Sequence, residues 1–301
     1  MRLISLCYLF ISLIFGSEPA LAQALPGAPK SATDVASNLT WKATLMTGDN
    51  SIDAFDNARK TLKNEFLQMG VTATNIKELS LDREERKRGS LQSSARNLAG
   101  ALGDLSVGEQ DACLIHMTSH GSPAGFYIRN GASITPKQLD SILDRTCGDR
   151  PTVVLVSACY SGIFVNRTMQ KPNRIILTAA REDRTSFGCG AENEYTYWDG
   201  CLIDSLPTSD SWKSLYGNIQ QCVQRKESRG RFTPSLPQAY FGQQVSDLKI
   251  PKGVTAGSNL ASSRRRLASD DAYGFTVPKR VQQASPFSRR SKRMGSQFHR
   301  Q

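Results

Sequence analysis

The sequence predicts an α/β fold in which a mostly parallel sheet carries helices on both faces. Short apolar runs, typical of strands buried on both faces, recur along the chain, and residues 152–156 are the clearest of them. Segments with apolar residues at helical spacing alternate with these runs. The first such segment has apolar side chains at Phe55, Ala58, Leu62, Phe66 and Met69. Alternating strands and helices are typical of a parallel sheet, and one domain over residues 39–250 accommodates them all.

The remaining elements follow from the same patterns. Further strands are predicted at residues 41–47, 76–79, 112–117, 175–179 and 238–241. Further helices are predicted around Leu98, Leu139 and Leu215. A cap-then-proline pair, Thr135 and Pro136, begins one helix, and Gly70 ends the first. The mixed charge run at residues 82–89 is interpreted as a solvated loop.

The first residues are typical of an export signal. Arg2 precedes an apolar run over residues 3–15, which is shorter than the roughly 20 residues that a membrane span needs. A small-x-small pattern ends at Ala22, so residues 1–22 are predicted to be a cleaved signal peptide and the mature protein to be periplasmic or secreted. An uncleaved membrane anchor is the alternative. Residues 23–38 are expected to form a flexible lead-in.

Residues 251–301 are expected to form a basic, disordered tail. They hold eleven Lys or Arg against two Asp, which is nine of the chain's eleven net positive charges. Their few large apolar residues show no period and bury too little surface to offset the entropy of ordering. The tail is interpreted as a solvated segment, as a contact to anionic envelope surfaces, or as a site of maturation cleavage. Nucleic acid is not an expected partner, because it fits poorly with export.

Two predicted strands end in reactive side chains. His120 follows the strand at residues 112–117, and Cys159 follows the strand at residues 152–156. One helix separates the two strands, so a right-handed crossover places them in the same sheet, as neighbours running in the same direction. Ligands of open α/β sheets bind beyond the carboxyl ends of the strands. We therefore expect His120 and Cys159 to project from the same edge.

This pair suits nucleophilic cleavage of a peptide bond. A thiolate is the attacking species, and a nearby imidazole favours it and then protonates the leaving amine. The N–H groups of Gly121 and Cys159 are candidate donors to the oxyanion. On residue type alone, however, a Cys or His after a strand is more often a structural residue.

A metal site is not predicted. His116 and His120 are spaced as in a zinc peptidase helix, but the required Glu is absent and the segment is a predicted strand, so His116 is interpreted as a core residue. The sequence has no phosphate-binding glycine loop, and no cofactor is implied.

Both motifs resemble the legumain-like family of caspase-fold cysteine peptidases, in its exported bacterial branch. They are Ser-His-Gly-Ser at residues 119–122 and Ser-Ala-Cys-Tyr-Ser-Gly at residues 157–162. The similarity continues at residues 176–181, 186–189 and 195–197 and covers about residues 41–242. It implies a caspase-like three-layer sandwich and a cysteine endopeptidase with the dyad Cys159 and His120, acting on proteins or peptides. A transpeptidase on the same dyad and a catalytically silent binding protein are the alternatives.

The resemblance also suggests a specificity pocket, lined by Ser157, Ser186, Asp199 and Asp53. Legumain has Glu where this chain has Ser157, which argues against specificity for asparagine. Ser186 matches a pocket serine, and Asp199 falls at or beside a pocket acid. Residues 49–56 replace a stretch with a pocket arginine, and their acids suggest a preference for Lys or Arg. Alternatively, those acids are turn and helix-start residues.

The cysteines do not reveal their pairing. Removing the signal peptide leaves six, and a catalytic Cys159 leaves five. Cys189 and Cys201 are one candidate pair, and a buried thiol at Cys189 is the alternative. The oligomeric state is left open.

Overall fold

A seven-stranded sheet forms the centre of the computed structural model, which describes residues 39–129, 131–190 and 192–252. From edge to edge the strands are β10 (Gln238–Phe241), β9 (Arg174–Thr178), β8 (Thr152–Ser157), β4 (Asp111–Thr118), β1 (Thr40–Thr47), β2 (Ile76–Ser80) and β3 (Leu91–Gln92). All neighbours pair in parallel except β10, which is antiparallel to β9. The predicted signal peptide, the lead-in and almost all of the basic tail lie outside the described residues.

Helices cover both faces of this sheet. They are α1 (Asp53–Gln68), α2 (Arg83–Lys87), α3 (Ala95–Asp104), α4 (Pro136–Thr146), α5 (Tyr197–Ser205) and α6 (Trp212–Gly230), with 3-10 turns at Ala73–Asn75, Ser161–Phe164 and Leu206–Thr208. One apolar cluster joins α1, α5 and α6 to the sheet, and a second joins α3 and α4 to its other face. Successive residues of β4 alternate between the clusters, Leu114 in the first and Ile115 in the second. The predicted three-layer α/β architecture is confirmed.

The local signals for helix ends are also confirmed. The Thr135 hydroxyl accepts from the N–H of Gln138, and the Gln138 side chain accepts from the N–H of Thr135, so the two residues form a capping box before Pro136. Helix α1 ends at Gln68, two residues before Gly70.

A small antiparallel sheet was not predicted from the sequence. It consists of β5 (Gly121–Ser122), β6 (Gly125–Ile128) and β7 (Ala132–Ile134) and begins directly after His120. Strands of two to four residues are too short for alternation to be recognised in the sequence.

Most of residues 82–89 are exposed, as predicted, but the interpretation of this segment as a loop was wrong. Residues Arg83–Lys87 form α2, and the Asp82 side chain accepts from the N–H groups of Glu84 and Glu85. Glu85 is buried because it pairs with Arg59 of α1, whose guanidinium is fully buried and also pairs with Asp56 (2.9 Å) and Glu78. Its partner is 26 residues away, so the charge pattern of the segment alone could not reveal it.

Two disulfides are formed within the described residues. Cys113–Cys147 joins β4 to the end of α4, and Cys201–Cys222 joins α5 to α6. The candidate pair Cys189–Cys201 was therefore wrong, because Cys201 lies against α6 rather than against the loop of Cys189. Cys159 and Cys189 are free thiols. Within the described ranges, no helix has the length and apolarity needed to cross a membrane.

Replacing Arg59 by Met should lower the free energy of unfolding by about 3–5 kcal/mol, because two buried carboxylates, Asp56 and Glu85, and the half-buried Glu78 lose their shared partner. Lys63→Met is the matched control: Lys63 also pairs with Glu78, but its side chain is 36% exposed, and the expected loss is below about 1 kcal/mol. Urea denaturation measures both. Equal losses would show that burial does not decide the strength of this network.

Candidate active site

The pairing of β4 with β8 brings the two sequence motifs together. Thr118, the last residue of β4, lies opposite Ser157, the last residue of β8. The N–H of Ser119 continues the ladder by donating to the carbonyl of Ser157 at 3.1 Å. His120 and Cys159 each follow two residues after these strand ends. Both residues therefore lie beyond the carboxyl ends of their strands, at the same height along the strand direction.

Gly121 allows the two segments to touch. A methyl group at this position would lie 2.2 Å from the carbonyl oxygen of Cys159 and 2.9 Å from the Cβ of Ala158. Both distances are shorter than van der Waals contact, so only glycine fits without displacing the backbone that carries Cys159. The predicted meeting of the two motifs at one edge thus depends on a close backbone approach.

The Cys159 thiol is half-buried and lies against Ser186. The N–H of Ser186 donates to its sulfur at 3.3 Å, and the carbonyl and hydroxyl oxygens of Ser186 both lie 3.6 Å from it. Tyr160 follows in a left-handed conformation with φ of 58°, which is unusual for a non-glycine residue and turns the chain sharply after the cysteine. Among the described residues, no backbone or side-chain group accepts from the N–H of Cys159.

The His120 imidazole is oriented by aromatic side chains. Its ring packs edge-on against Phe55 of α1, with centroids 5.2 Å apart, and lies 6.3 Å from the ring of Tyr127 in β6. The backbone is held as well, since the N–H of Tyr127 donates to the carbonyl of His120 at 3.0 Å. Within the described part of the chain neither ring nitrogen has a hydrogen-bond partner, so both are free to exchange protons with a substrate.

A buried carboxylate contacts the ends of β4 and β8. Asp199 of α5 is fully buried and accepts from Thr118 at 2.6 Å, Ser157 at 2.9 Å and Thr196 at 3.0 Å. Its other oxygen lies 2.9 Å from Nε2 of His116. Nδ1 of His116 is buried and has no partner among the described residues, which favours the tautomer with the proton on Nε2. Asp199 thereby ties α5 to the last residues of β4 and β8.

Cys189 is the second free thiol of this region. Burial, with smaller contributions from Cys159 and Asp199, raises the pKa of the Cys189 thiol to about 12. Because the thiolate is the reactive form, Cys189 is protonated and inert near neutral pH. Among the residues that the structure describes, no three His, Cys, Asp or Glu side chains are grouped so as to hold a metal ion.

The chain matches a known protein family. The family model described as the peptidase C13 family matches residues 47–248, which is more than half of the chain. The chain belongs to the peptidase C13 family. No curated protein matches the chain. Membership in this family, which is the legumain family, identifies a cysteine peptidase of caspase-like fold whose substrates are proteins or peptides.

The four residues predicted to line the specificity pocket lie in three different environments in this C13 peptidase. Ser186 contacts the sulfur of Cys159. Ser157 and Asp199 lie inside the protein, hydrogen-bonded to each other, with 2% and 0% of their surfaces exposed. Asp53 lies on the surface as the first residue of α1, two residues before Phe55. Only Ser186 is thus in contact with the proposed nucleophile.

Two of the three acids behind the basic-pocket hypothesis have structural partners. Asp49 accepts from the N–H of Ser51 at 2.5 Å, and Asp56 pairs with Arg59. A cation that was not predicted also lies at this loop. Arg129, which follows β6, donates to the side chain of Asn50 at 3.0 Å. Arg129 follows the β5–β6 hairpin, which was not predicted, so nothing in the sequence indicated its contact with Asn50.

The role of His116 was likewise missed. Its assignment to the core is confirmed by its complete burial, but its hydrogen bond to Asp199 joins residues 83 positions apart. A polar residue in an otherwise apolar predicted strand was the available signal, because buried polar groups require partners.

Asp199→Ala should lower the free energy of unfolding by about 3 kcal/mol or more, because four buried donors lose their acceptor together. Asp204→Ala, on the exposed side of the same helix, should change it by less than about 0.5 kcal/mol. Thermal and denaturant unfolding measure both variants. An unchanged stability in Asp199→Ala would mean that the carboxylate does not hold the strand ends.

Proposed function

We propose that the protein is a cysteine endopeptidase in which Cys159 is the nucleophile and His120 is the acid–base partner. The supporting observation is the contact between the two motifs at one sheet edge, where a methyl group on Gly121 would lie 2.2 Å from the Cys159 carbonyl. A free thiol, an imidazole with free nitrogens and an unengaged N–H at Cys159 lie at this edge. Acyl transfer through a thiol requires these three groups.

The reaction begins with attack of the Cys159 thiolate on the carbonyl carbon of the cleaved bond. A C–S bond forms, and the carbonyl oxygen becomes an oxyanion. The N–H groups of Cys159 and Gly121 are the proposed donors to this oxygen, each worth about 3 kcal/mol in the transition state. The His120 imidazolium then protonates the leaving nitrogen, the C–N bond breaks, and the acyl group stays on sulfur.

Water completes the cycle. The neutral His120 ring accepts a proton from water as its oxygen attacks the thioester carbon, and the C–S bond breaks to release the acid and restore the thiolate. The aromatic contacts of Phe55 and Tyr127 hold the His120 ring in one orientation through both steps. His120 gives one proton to the leaving amine and regains one from water. Every step uses groups of the chain, the substrate and water.

Cys159→Ser and His120→Ala should each lower kcat/KM for peptide hydrolysis by about a thousandfold or more, because removing any member of a catalytic unit stops it. The measurement is cleavage of a mixed peptide library followed by mass spectrometry. Cys189→Ser is the matched control, since its thiol is nearby but protonated, and its activity should stay within about twofold of the wild type.

Iodoacetamide labelling at pH 7.5 tests the same proposal independently. We expect the tryptic peptide of Cys159 to be alkylated and that of Cys189 to remain unmodified. A wild-type protein that neither cleaves peptides nor labels at Cys159 would contradict the proposed function, and so would full activity in Cys159→Ser.

We further propose that the protein is exported, with residues 1–22 removed and residues 251–301 contacting anionic envelope surfaces. The signal pattern ending at Ala22 and the two disulfides support export, because disulfides persist in oxidising compartments.

The mature chain should therefore begin at Gln23. Intact-mass and N-terminal peptide analysis of the protein recovered from its producing cells measures this. A chain that still begins at Met1 in the membrane fraction would instead establish the uncleaved anchor.

A further inference from the structure

An exposed aromatic surface lies beside the proposed nucleophile. Among the described residues, three large hydrophobic side chains are exposed: Phe232 (41%), Leu236 (39%) and Leu91 (40%). Phe232 and Leu236 belong to one loop, between α6 and β10, whereas Leu91 lies on β3 at the far edge of the sheet. Two exposed apolar side chains in one short loop require an explanation, because water contact is unfavourable for both.

Phe232 extends an aromatic stack that begins next to Ser186. The ring of Phe187 stacks on Phe232 with centroids 4.5 Å apart and planes inclined by 20°, and the ring of Tyr197 lies 6.0 Å from Phe232. We call the rings of Phe187, Tyr197 and Phe232 the aromatic platform. Phe187 directly follows Ser186, whose N–H donates to the Cys159 sulfur at 3.3 Å. The platform therefore starts one residue from an atom that touches the nucleophile.

The loop that carries Phe232 is anchored at both ends. The N–H of Phe232 donates to the carbonyl of Glu227 at 3.0 Å, and the buried Glu227 carboxylate accepts from the N–H of Ser235 at 3.0 Å. The carbonyl of Ser235 accepts from the N–H of Arg181 at 2.8 Å. Anchored in this way, the loop presents its aromatic ring on a fixed base.

The same loop contains strained backbone. Leu236 has φ of 56°, in the left-handed region that non-glycine residues rarely adopt. Arg231, with φ of 55°, is the C-cap of α6, where left-handed residues are common. Of the four left-handed non-glycine residues in the described chain, Tyr160 and Leu236 are the two that do not follow an α-helix. Strain of this kind persists where the surrounding structure enforces it, and it concentrates at binding and catalytic sites.

We propose that the aromatic platform is a substrate subsite that takes a large apolar or aromatic side chain, two or three residues from the cleaved bond. An extended peptide advances about 3.3 Å per residue, so a side chain at that separation stands roughly 7–10 Å from the reacting carbon. A peptide bound at Cys159 must pass Ser186, and the ring of Phe187 begins one residue further on. The subsite rests on the proposed function.

The ring faces of the platform favour this occupant. Offset and edge-on contacts between aromatic rings contribute binding free energy beyond that of the apolar area they bury. An aliphatic side chain gains only the free energy of the buried area. Lys226 lies 5.7 Å from the ring centre of Tyr197, so a positive charge borders the platform. This charge disfavours Lys and Arg at the same subsite.

The experiment compares three proteins with the full chain: wild type, Phe232→Ser, and Leu91→Ser as a control with equal exposure on the opposite edge. A proteome-derived peptide library identifies the cleavage sites of each. The wild type should show enrichment of Phe, Tyr, Trp or Leu two or three residues from the cleaved bond, on one side. Phe232→Ser should lose this enrichment, and Leu91→Ser should retain it.

Two matched peptides, with Phe or Ala at the enriched position, give the magnitude. Phe232→Ser should lower kcat/KM for the Phe peptide by about tenfold to a hundredfold, chiefly through KM, while Leu91→Ser should leave both peptides within about twofold of the wild type. Phe232→Leu, which retains apolar area, should keep part of the preference. This variant tests the proposal even if Phe232→Ser folds poorly.

The outcomes separate the subsite from the reaction. Cleavage without any such enrichment, or enrichment that survives both Phe232 variants, overturns the subsite and leaves the peptidase intact. Absence of cleavage together with absence of Cys159 labelling overturns the reaction and the subsite with it. A wild-type dimer that Phe232→Ser converts to monomer, without a change in cleavage sites, would assign the platform to self-association instead.

Discussion

The register between β4 and β8 is the constraint on which the site depends. Parallel strands present their carboxyl ends at one edge, but only a register that sets Thr118 opposite Ser157 makes His120 and Cys159 leave that edge at the same level. A slip of one residue would turn the side chains of one strand to the other face of the sheet. Gly121 extends the constraint beyond the sheet, because its missing side chain lets the backbone after His120 rest on the carbonyl of Cys159.

Asp199 secures this register from outside the strands. A buried carboxylate is costly to desolvate, and here four donors offset that cost, two from β4, one from β8 and one from the residue before α5. The helix, the two strand ends and the loop after Ser186 are thereby fixed with respect to one another. Ser157, one of the predicted pocket residues, uses its hydroxyl inside the protein by donating to Asp199. We propose the aromatic platform as a surface for substrate recognition instead.

Cys159 is one of two free thiols in the described part of the chain. Cys159 and Cys189 are both half-buried free thiols, and burial raises the pKa of Cys189, which keeps this thiol protonated near neutral pH. Two left-handed residues that follow no α-helix, Tyr160 and Leu236, and the exposed ring of Phe232 lie in the segments that form the proposed site. The buried network of Arg59 and the two disulfides supply stability to the scaffold.

The sequence by itself determined the alternation of strands and helices, the capped start of α4, and the two strand ends that carry His120 and Cys159. These features depend on residues close together in the chain, so periodicity and short motifs express them. Only the tertiary structure decided the disulfide partners of Cys113 and Cys201, the burial of Glu85, and the assembly of Asp199 with His116. Each of these contacts joins residues some twenty to eighty positions apart, and their pairing is chosen by the packing of helices on the sheet. The stacking of Phe232 on Phe187 has the same origin, since α6 and its following loop must fold back over the edge of Cys159 before the two rings can meet.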